Sequence, residues 1–269
     1  MTKYNYNIRE LKWNQWLAGI IDGKGYLCIK NNQNVFCEII MPLQDEYLLF
    51  QIKQKLGGKL KLRSSNQSIR YRLTSKKKLI ELIFRINGHI RNTVRFIQFK
   101  KFCYFFNVFY KKANILTKNN AYIAGFFDAD GTICITVQKT SHQNSIKPGV
   151  FGKLNRLINA QDAHTIQVYI TNKHINNLIL FQKAFNFGQI KSFKKNKNNI
   201  YIYLVGLKNI PHFIEYIKTY PLRSSKKKRV FLLIKYLKLN NLQAYFAPQK
   251  SLIRKAWNNF CHQWYNIQF

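Results

Sequence analysis

Acidic residues are scarce in this 269-residue chain: ten Asp and Glu stand against 45 Lys and Arg, for a formal net charge of +35. So few carboxylates leave most cations facing water or a polyanion, and self-repulsion destabilises a compact chain left alone. Cysteine is sparse too. Its five residues (Cys28, Cys37, Cys103, Cys134, Cys261) form no CxxC pair and have no histidine at ligand spacing, which argues against a disulfide scaffold and a structural zinc site. No run of about 18 residues escapes charge. The most apolar run, Phe96 to Tyr110, is broken by Lys100 and Lys101 and reads as a buried helix, so no membrane partner is expected. The opening MTKYNYNIRELKW lacks a secretory apolar run and the Arg- and Ser-rich look of a transit peptide, so no import signal is seen.

What the chain does have is apolar surface: 46% of residues are hydrophobic and 15% aromatic, too much for a disordered polycation. At about 150 residues per domain the length suggests two domains. A nucleic acid is the polyanion that suits such a charge. The heavy use of Asn, Lys, Ile, Tyr and Phe is what an AT-rich coding sequence gives, which points to synthesis inside an organelle, the mitochondrion.

The chain also repeats itself. Leu17-Ala18-Gly19-Ile20-Ile21-Asp22-Gly23-Lys24-Gly25 matches Ile123-Ala124-Gly125-Phe126-Phe127-Asp128-Ala129-Asp130-Gly131 at an offset of 123 − 17 = 106 residues, and each is followed by an apolar stretch. Further on, Leu49-Phe50-Gln51 matches Leu180-Phe181-Gln182, Gly57 matches Gly188 and Leu73 matches Leu204, at 180 − 49 = 131. The second copy therefore carries 131 − 106 = 25 extra residues between about Gln138 and Ala163, read as a long polar mobile loop. Each copy reads as helix, two strands, helix, one or two strands and a closing helical region. In the second copy the strands are expected at Thr132–Val137, Thr165–Thr171, Ile190–Lys194 and Ile200–Val205, with helices starting near His174 and Asn209. The fold class is thus α+β. The divisions are residues 1–112, a linker at 113–120, a second copy at 121–238 and a helical extension at 239–269.

In both copies an apolar helix with Ala-Gly in its first turn (Ala18-Gly19, Ala124-Gly125) leads to Asp-x-x-Gly, and such small residues let two helices meet backbone to backbone. The paired nonamers resemble the motifs of the single-chain LAGLIDADG homing endonucleases and maturases, over roughly residues 14 to 238. The resemblance implies two pseudo-symmetric αββαββα repeats, motif helices at the central interface, and two four-stranded sheets forming a saddle over a nucleic acid. It also implies Mg²⁺-dependent cleavage by one carboxylate from the end of each motif helix. Carried onto this chain, the second motif supplies Asp130 as catalytic acid and metal ligand, whereas the first has Lys24 there. Hard oxygen ligands concentrate Mg²⁺ and lower the pKa of an attacking water. An ammonium in place of a carboxylate changes the local charge by two units, each worth about 4 kcal/mol gross at ~4 Å and an effective dielectric of about 20. Lys24 is expected to pair with Asp130 instead.

The family often carries a basic residue between its third and fourth strands, here Arg63 in the first copy and Lys195 or Lys197 in the second. In lysine-rich loops such residues more often contact phosphate or water than act in catalysis. Asp22 and Asp128 read as anchors of the motif-helix ends, and the six histidines receive no role. Ser224-Ser225-Lys226-Lys227-Lys228-Arg229, after Pro221-Leu222, reads either as a helix start that receives phosphate or as an exposed charged face. Tyr71 between Arg70 and Arg72, and Tyr201 and Tyr203, place rings and cations on opposite strand faces. The candidate nucleic-acid contacts are Arg63, Arg70, Arg72, Lys191, Lys194, Lys195, Lys197, Lys226, Lys227 and Lys228.

Two functions fit the sequence. The first is a catalytically degenerate binding protein, needing no cofactor, that prefers structured organellar RNA to DNA as a maturase or as part of a large ribonucleoprotein such as the mitochondrial ribosome. The second is an endonuclease that cuts or nicks double-stranded DNA with Mg²⁺, using Asp130 and a relocated ligand such as Asp22. Either way the chain is expected to be a monomeric pseudo-dimer.

Overall fold

The computed structural model of the protein describes residues 7–30, 34–63, 67–138, 149–195 and 198–266. The first copy runs α1 (Ile8–Lys24), β1 (Gly25–Lys30), β2 (Asn34–Pro42), α2 (Glu46–Leu56), β3 (Lys59–Arg63), β4 (Ser68–Leu73), α3 (Lys76–Ile86) and α4 (Thr93–Phe105). The second runs α5 (Tyr122–Asp130), β5 (Gly131–Val137), α6 (Gly149–Ile158), β6 (His164–Asn172), α7 (Asn176–Phe185), β7 (Gln189–Lys195), β8 (Asn198–Val205), α8 (Ile210–Thr219) and α9 (Lys226–Asn241), followed by α10 (Leu252–Asn266). Each copy folds one antiparallel four-stranded sheet, ordered β1-β2-β4-β3 and β5-β6-β8-β7. This is the α+β pair of repeats, each with a four-stranded sheet, that the resemblance implies.

The strands alternate as a half-buried sheet must. In the first sheet Leu27, Cys37 and Leu73 share one register line and Ile39 and Tyr71 another, all buried against the helices. In the second, Ile133, Val168 and Val205 line up, as do Ile170 and Tyr203. Gly58 and Gly188 both hold positive φ and both lie against the ring of the buried tyrosine opposite, Tyr71 and Tyr203, where a Cβ would meet ring carbon at 2.9 and 2.4 Å. These contacts correct two sequence matches: Gly58, not Gly57, is the counterpart of Gly188, and Leu73 occupies the place of Val205, not of Leu204.

The motif helices α1 and α5 cross at the centre of the molecule. A Cβ on Gly19 would sit 2.2 Å from the Tyr122 carbonyl oxygen, and one on Gly125 only 1.9 Å from that of Trp16. Only glycine permits that approach. Around the crossing Trp16, Leu17, Ile20, Ile21, Tyr122, Ile123, Phe126 and Phe127 are all at most 2% exposed, each such side chain contributing about 1.5–3 kcal/mol of transfer free energy. The Phe96–Tyr110 run does form a helix, α4, which starts earlier under the Asn92 N-cap and ends at Phe105, but it is covered on one side only: Phe99, Phe102 and Cys103 are buried while Ile97 and Tyr104 are exposed.

Two expectations need correction. The insertion in the second copy is not all loop: residues 139–148 lie outside the described residues, but Gly149–Ile158 is helix α6, with Leu154 and Leu157 buried at i, i+3 spacing. The supposed extension boundary after residue 238 falls inside α9. α6, α9 and α10 pack together, with His164 lying among Tyr236, Tyr245 and Trp257 at ring distances of 5.6, 4.8 and 4.9 Å. Arg254 donates to the carbonyls of Ile158 and Tyr245, which ties α10 to the end of α6. Among the described residues no helix is long and apolar enough to cross a membrane.

Candidate nucleic-acid interface

The two motif aspartates are anchors. Asp22 accepts from the Arg91 and Asn92 backbone N–H at 2.6 and 2.9 Å and from the Tyr122 hydroxyl at 2.6 Å, all on Oδ2. Asp128 accepts from the Arg223 and Ser224 backbone N–H, from the Ser224 hydroxyl, and at 2.8 Å from Trp16 Nε1. The arrangement is pseudo-symmetric: Trp16 and Tyr122 each stand one residue before a motif, and each reaches across the interface to the other copy's aspartate. A second pair of bonds repeats the symmetry, Thr93 N–H to Asn177 Oδ1 at 3.0 Å and Ser225 N–H to Asp45 Oδ1 at 2.7 Å. Burial pushes the Asp22 carboxyl up to about 6 and that of Asp128 upward as well, against the pull of those donors.

At the C-terminal ends of the motif helices Lys24 Nζ lies 2.7 Å from Asp130 Oδ1, the ion pair expected from the sequence. The pair lines an open cleft of about 450 Å³ with Arg95, Lys173, His174 and the edge of Asp22. These residues do not fit a divalent cation. Asp130 is engaged by an ammonium, and Asp22 has one carboxylate oxygen left, Oδ1, which is buried and has no hydrogen-bond partner. Among the described residues no group of three or more His, Cys, Asp or Glu gathers to hold a metal. Mg²⁺ needs near-octahedral oxygen ligation, and here three permanent cations surround one available carboxylate.

The basic run at 224–229 divides. Lys226 is not a nucleic-acid contact: its ammonium donates to the carbonyls of Phe127, Asp128 and Ala129 at 3.0, 2.6 and 3.2 Å, capping α5. Burial lowers its pKa, with Asp128, Asp45 and Asp130 opposing. The N–H groups leading into α9 are consumed as well, Ser224 by Asp128 and Ser225 by Asp45, and those of Lys227 and Lys228 bond to the Ser224 and Ser225 carbonyls, which leaves little at this helix start for a phosphate. Lys227 and Lys228 are exposed. Because Asp22 holds Arg91 and Asn92 as Asp128 holds Arg223 and Ser224, the first-copy place of Lys226 is Val94. The first copy thus lacks both the acid and the lysine that the second keeps side by side.

The open faces of the two sheets differ. On the first, Lys30, Lys59, Lys61, Arg63, Arg70 and Arg72 share the face with one acid, Glu38, which lies 3.7 Å from both Arg70 and Arg72. The Arg72 guanidinium also stacks 3.7 Å from the Phe36 ring centroid. On the second sheet Lys191 is on the open face beside Phe193 and Ile202, whereas Lys194 takes the parity of Ile190 on the opposite face and is exposed at the strand's end. Lys195 ends β7, and Lys197 lies outside the described residues. Tyr71 and Tyr203 are buried on the core side, as alternation requires. The sequence reading missed Lys30, Lys59, Lys61, Arg95 and Lys173. The first three were findable from strand parity, but the cleft pair depends on how α4 and the β6–α7 loop meet.

Comparison with known proteins agrees with this architecture. An intron-encoded RNA maturase, bI4, of Saccharomyces cerevisiae is 40% identical over 99% of this chain, which spans 39% of that protein's length. A Dictyostelium discoideum intron-encoded DNA endonuclease, ai2a, is 31% identical over 96% of this chain and 76% of its own. Among solved structures, the LAGLIDADG meganuclease I-AabMI bound to uncleaved DNA matches at TM-score 0.63 and 18% identity, covering 90% of this chain and 97% of that one. I-LtrWI bound to target DNA matches at TM-score 0.61 and 15% identity, covering 97% and 99%. These distant structures share the fold. The profile of the LAGLIDADG endonucleases matches residues 17–106 and 123–237, both copies of the repeat, and the chain belongs to that family.

Proposed function

We propose that this chain is a LAGLIDADG protein that binds nucleic acid, structured RNA in preference to DNA, and has lost double-strand cleavage. The Lys24–Asp130 ion pair carries the reading: the place where two carboxylates would gather a metal holds a salt bridge at 2.7 Å. The charge of +35 supports the binding half, as does the row of cations on the first sheet. Each phosphate neutralised by such a cation releases counterions. The intron-encoded RNA maturase relative supports RNA as partner, on an intron or in an organellar ribonucleoprotein, and the heavy use of Asn, Lys, Ile, Tyr and Phe supports the mitochondrion as the place of synthesis. A second reading, a nicking endonuclease, is favoured by one observation: Asp130 and Lys226 remain together in the second copy.

The test is to recover the protein from its native source in moderate salt and sequence the nucleic acid that accompanies it. Stoichiometric intron or ribosomal RNA is the expected result. Free protein that selects and nicks a DNA site would overturn the reading.

A further inference from the structure

We propose that the central cleft is a metal-free phosphate site, in which the cations that displaced the metal ligands hold a backbone phosphodiester directly. The inference rests on the nucleic-acid-binding reading and goes beyond it by naming where and how one phosphate is held.

The charges facing the cleft come from four elements. α1 contributes Lys24 and the edge of Asp22, α5 contributes Asp130, α4 contributes Arg95, and the β6–α7 loop contributes Lys173 and His174. Three permanent cations thus meet Asp130 as the one ionised carboxylate with accessible surface, because Asp22 is 1% exposed and its Oδ2 already takes three donors. Arg95 has donors to spare: its Nε is buried without a partner, and one terminal nitrogen makes a long 3.4 Å contact to Gln98. It stands in the first turn of α4, a 13-residue helix whose positive end adds to the field. A guanidinium with unused donors and two ammonium groups form the donor set that phosphate oxygens take, whereas the first N–H groups of α4 are already bonded, Thr93 to Asn177 and Val94 and Arg95 to Asn92. The first copy's Val94, where the second has Lys226, leaves the wall beside Arg95 open and free of a competing capping lysine.

In this site Asp130 is the element that opposes binding. It neutralises Lys24 and lies where a phosphate would approach. Removing its charge should strengthen binding here, whereas it would weaken a site in which Asp130 holds a metal against the phosphate. That difference in sign makes the proposal testable.

The experiment measures fluorescence anisotropy of a labelled RNA hairpin, and of a DNA duplex of the same length, with the full chain in EDTA and again in Mg²⁺, over a series of salt concentrations. Asp130→Asn should tighten binding about three- to tenfold in EDTA at 0.1 M salt, and Mg²⁺ should add nothing. Arg95→Gln should weaken binding about tenfold and lower the slope of log K against log salt by about 0.7–0.9, the signature of one lost phosphate contact. Unchanged thermal melting of each variant shows that the fold survives. If the natural chain binds but neither variant differs from it, the phosphate is elsewhere; the cleft proposal falls and the binding reading stands. If Mg²⁺ tightens binding and Asp130→Asn abolishes that gain, the site holds metal and the proposal is overturned. Failure of the natural chain to bind either probe at low salt overturns the binding reading together with the proposal.

Discussion

Substituting Gly125 with alanine tests the packing on which every statement about the site depends. The added Cβ would sit 1.9 Å from the Trp16 carbonyl oxygen, where ordinary contact begins near 3.4 Å, so α1 and α5 must separate by about 1.5 Å. Backbone faces backbone there, and no side chain can swing aside. A separation of that size would stretch Trp16 Nε1 to Asp128, now 2.8 Å, and Tyr122 to Asp22, now 2.6 Å, beyond hydrogen-bond range. Overpacking alone costs about 1–3 kcal/mol, and each bond to a buried carboxylate is worth about 1.5–3 kcal/mol. The total, about 4 kcal/mol or more, is a large part of the roughly 5–15 kcal/mol that holds a domain together. Urea unfolding followed by tryptophan fluorescence reads it, because Trp16 is buried at the interface. Gly206→Ala is the control: φ there is −67° and a Cβ would meet nothing within 4 Å, so its effect should stay within about 0.5 kcal/mol. A Gly125→Ala variant within about 1 kcal/mol of the natural chain would refute the close crossing.

Asp22→Asn should change the pH dependence of stability. Burial holds the Asp22 carboxyl at about 6, above the roughly 3.9 of an unfolded chain, so its contribution is full below pH ~4 and falls by about 3 kcal/mol as pH rises through 6. Asparagine stays neutral throughout, and urea midpoints compared between pH 4 and 7 should show the variant losing less stability than the natural chain; an identical fall in both would contradict the assignment. Trp16→Phe removes the N–H that reaches Asp128 together with part of the buried indole, at a cost of about 1.5–3 kcal/mol for the bond and more for the space left, whereas Tyr122→Phe removes the symmetric bond alone at about 1.5–3 kcal/mol. Chemical denaturation measures both, and a neutral result for either would break the pseudo-symmetric account. Arg254→Ala removes the bonds to the Ile158 and Tyr245 carbonyls and should free α6 before the rest of the chain unfolds. Hydrogen exchange would then quicken first in residues 149–158; uniform protection across α6 would show that the arginine does not hold it.

The repeat made most of the fold legible. Two nonamers with Asp-x-x-Gly fix two helices and the strand after each, and apolar alternation in Ile166, Val168 and Ile170 or Ile69, Tyr71 and Leu73 fixes which face is core. The second-copy strands lie within two residues of their expected limits. Drift of one residue in the repeat, at Gly58 and at Val205, was hidden because single glycines and leucines match by chance. Helix α6 was overlooked since its Gly, Ser and Asn surroundings resemble a loop, while the reason for the helix, a face for α10, lies a hundred residues away. The Lys24–Asp130 pair was readable because the motif supplies both positions. Lys226 was misread for the opposite reason: a lysine in a basic run looks solvated, and only the approach of α9 to the end of α5 turns its ammonium onto three carbonyls.

The claim at the centre of the account is that the paired motif ends hold a salt bridge and perform no metal-dependent cutting. Incubating the natural chain with Mg²⁺ and a randomised duplex DNA library, then sequencing every new end, tests that claim without knowledge of a target. The account predicts no enriched ends on either strand, from the natural chain and from its Asp130→Asn variant alike. A defined cut or nick made by the natural chain and lost in Asp130→Asn would contradict it.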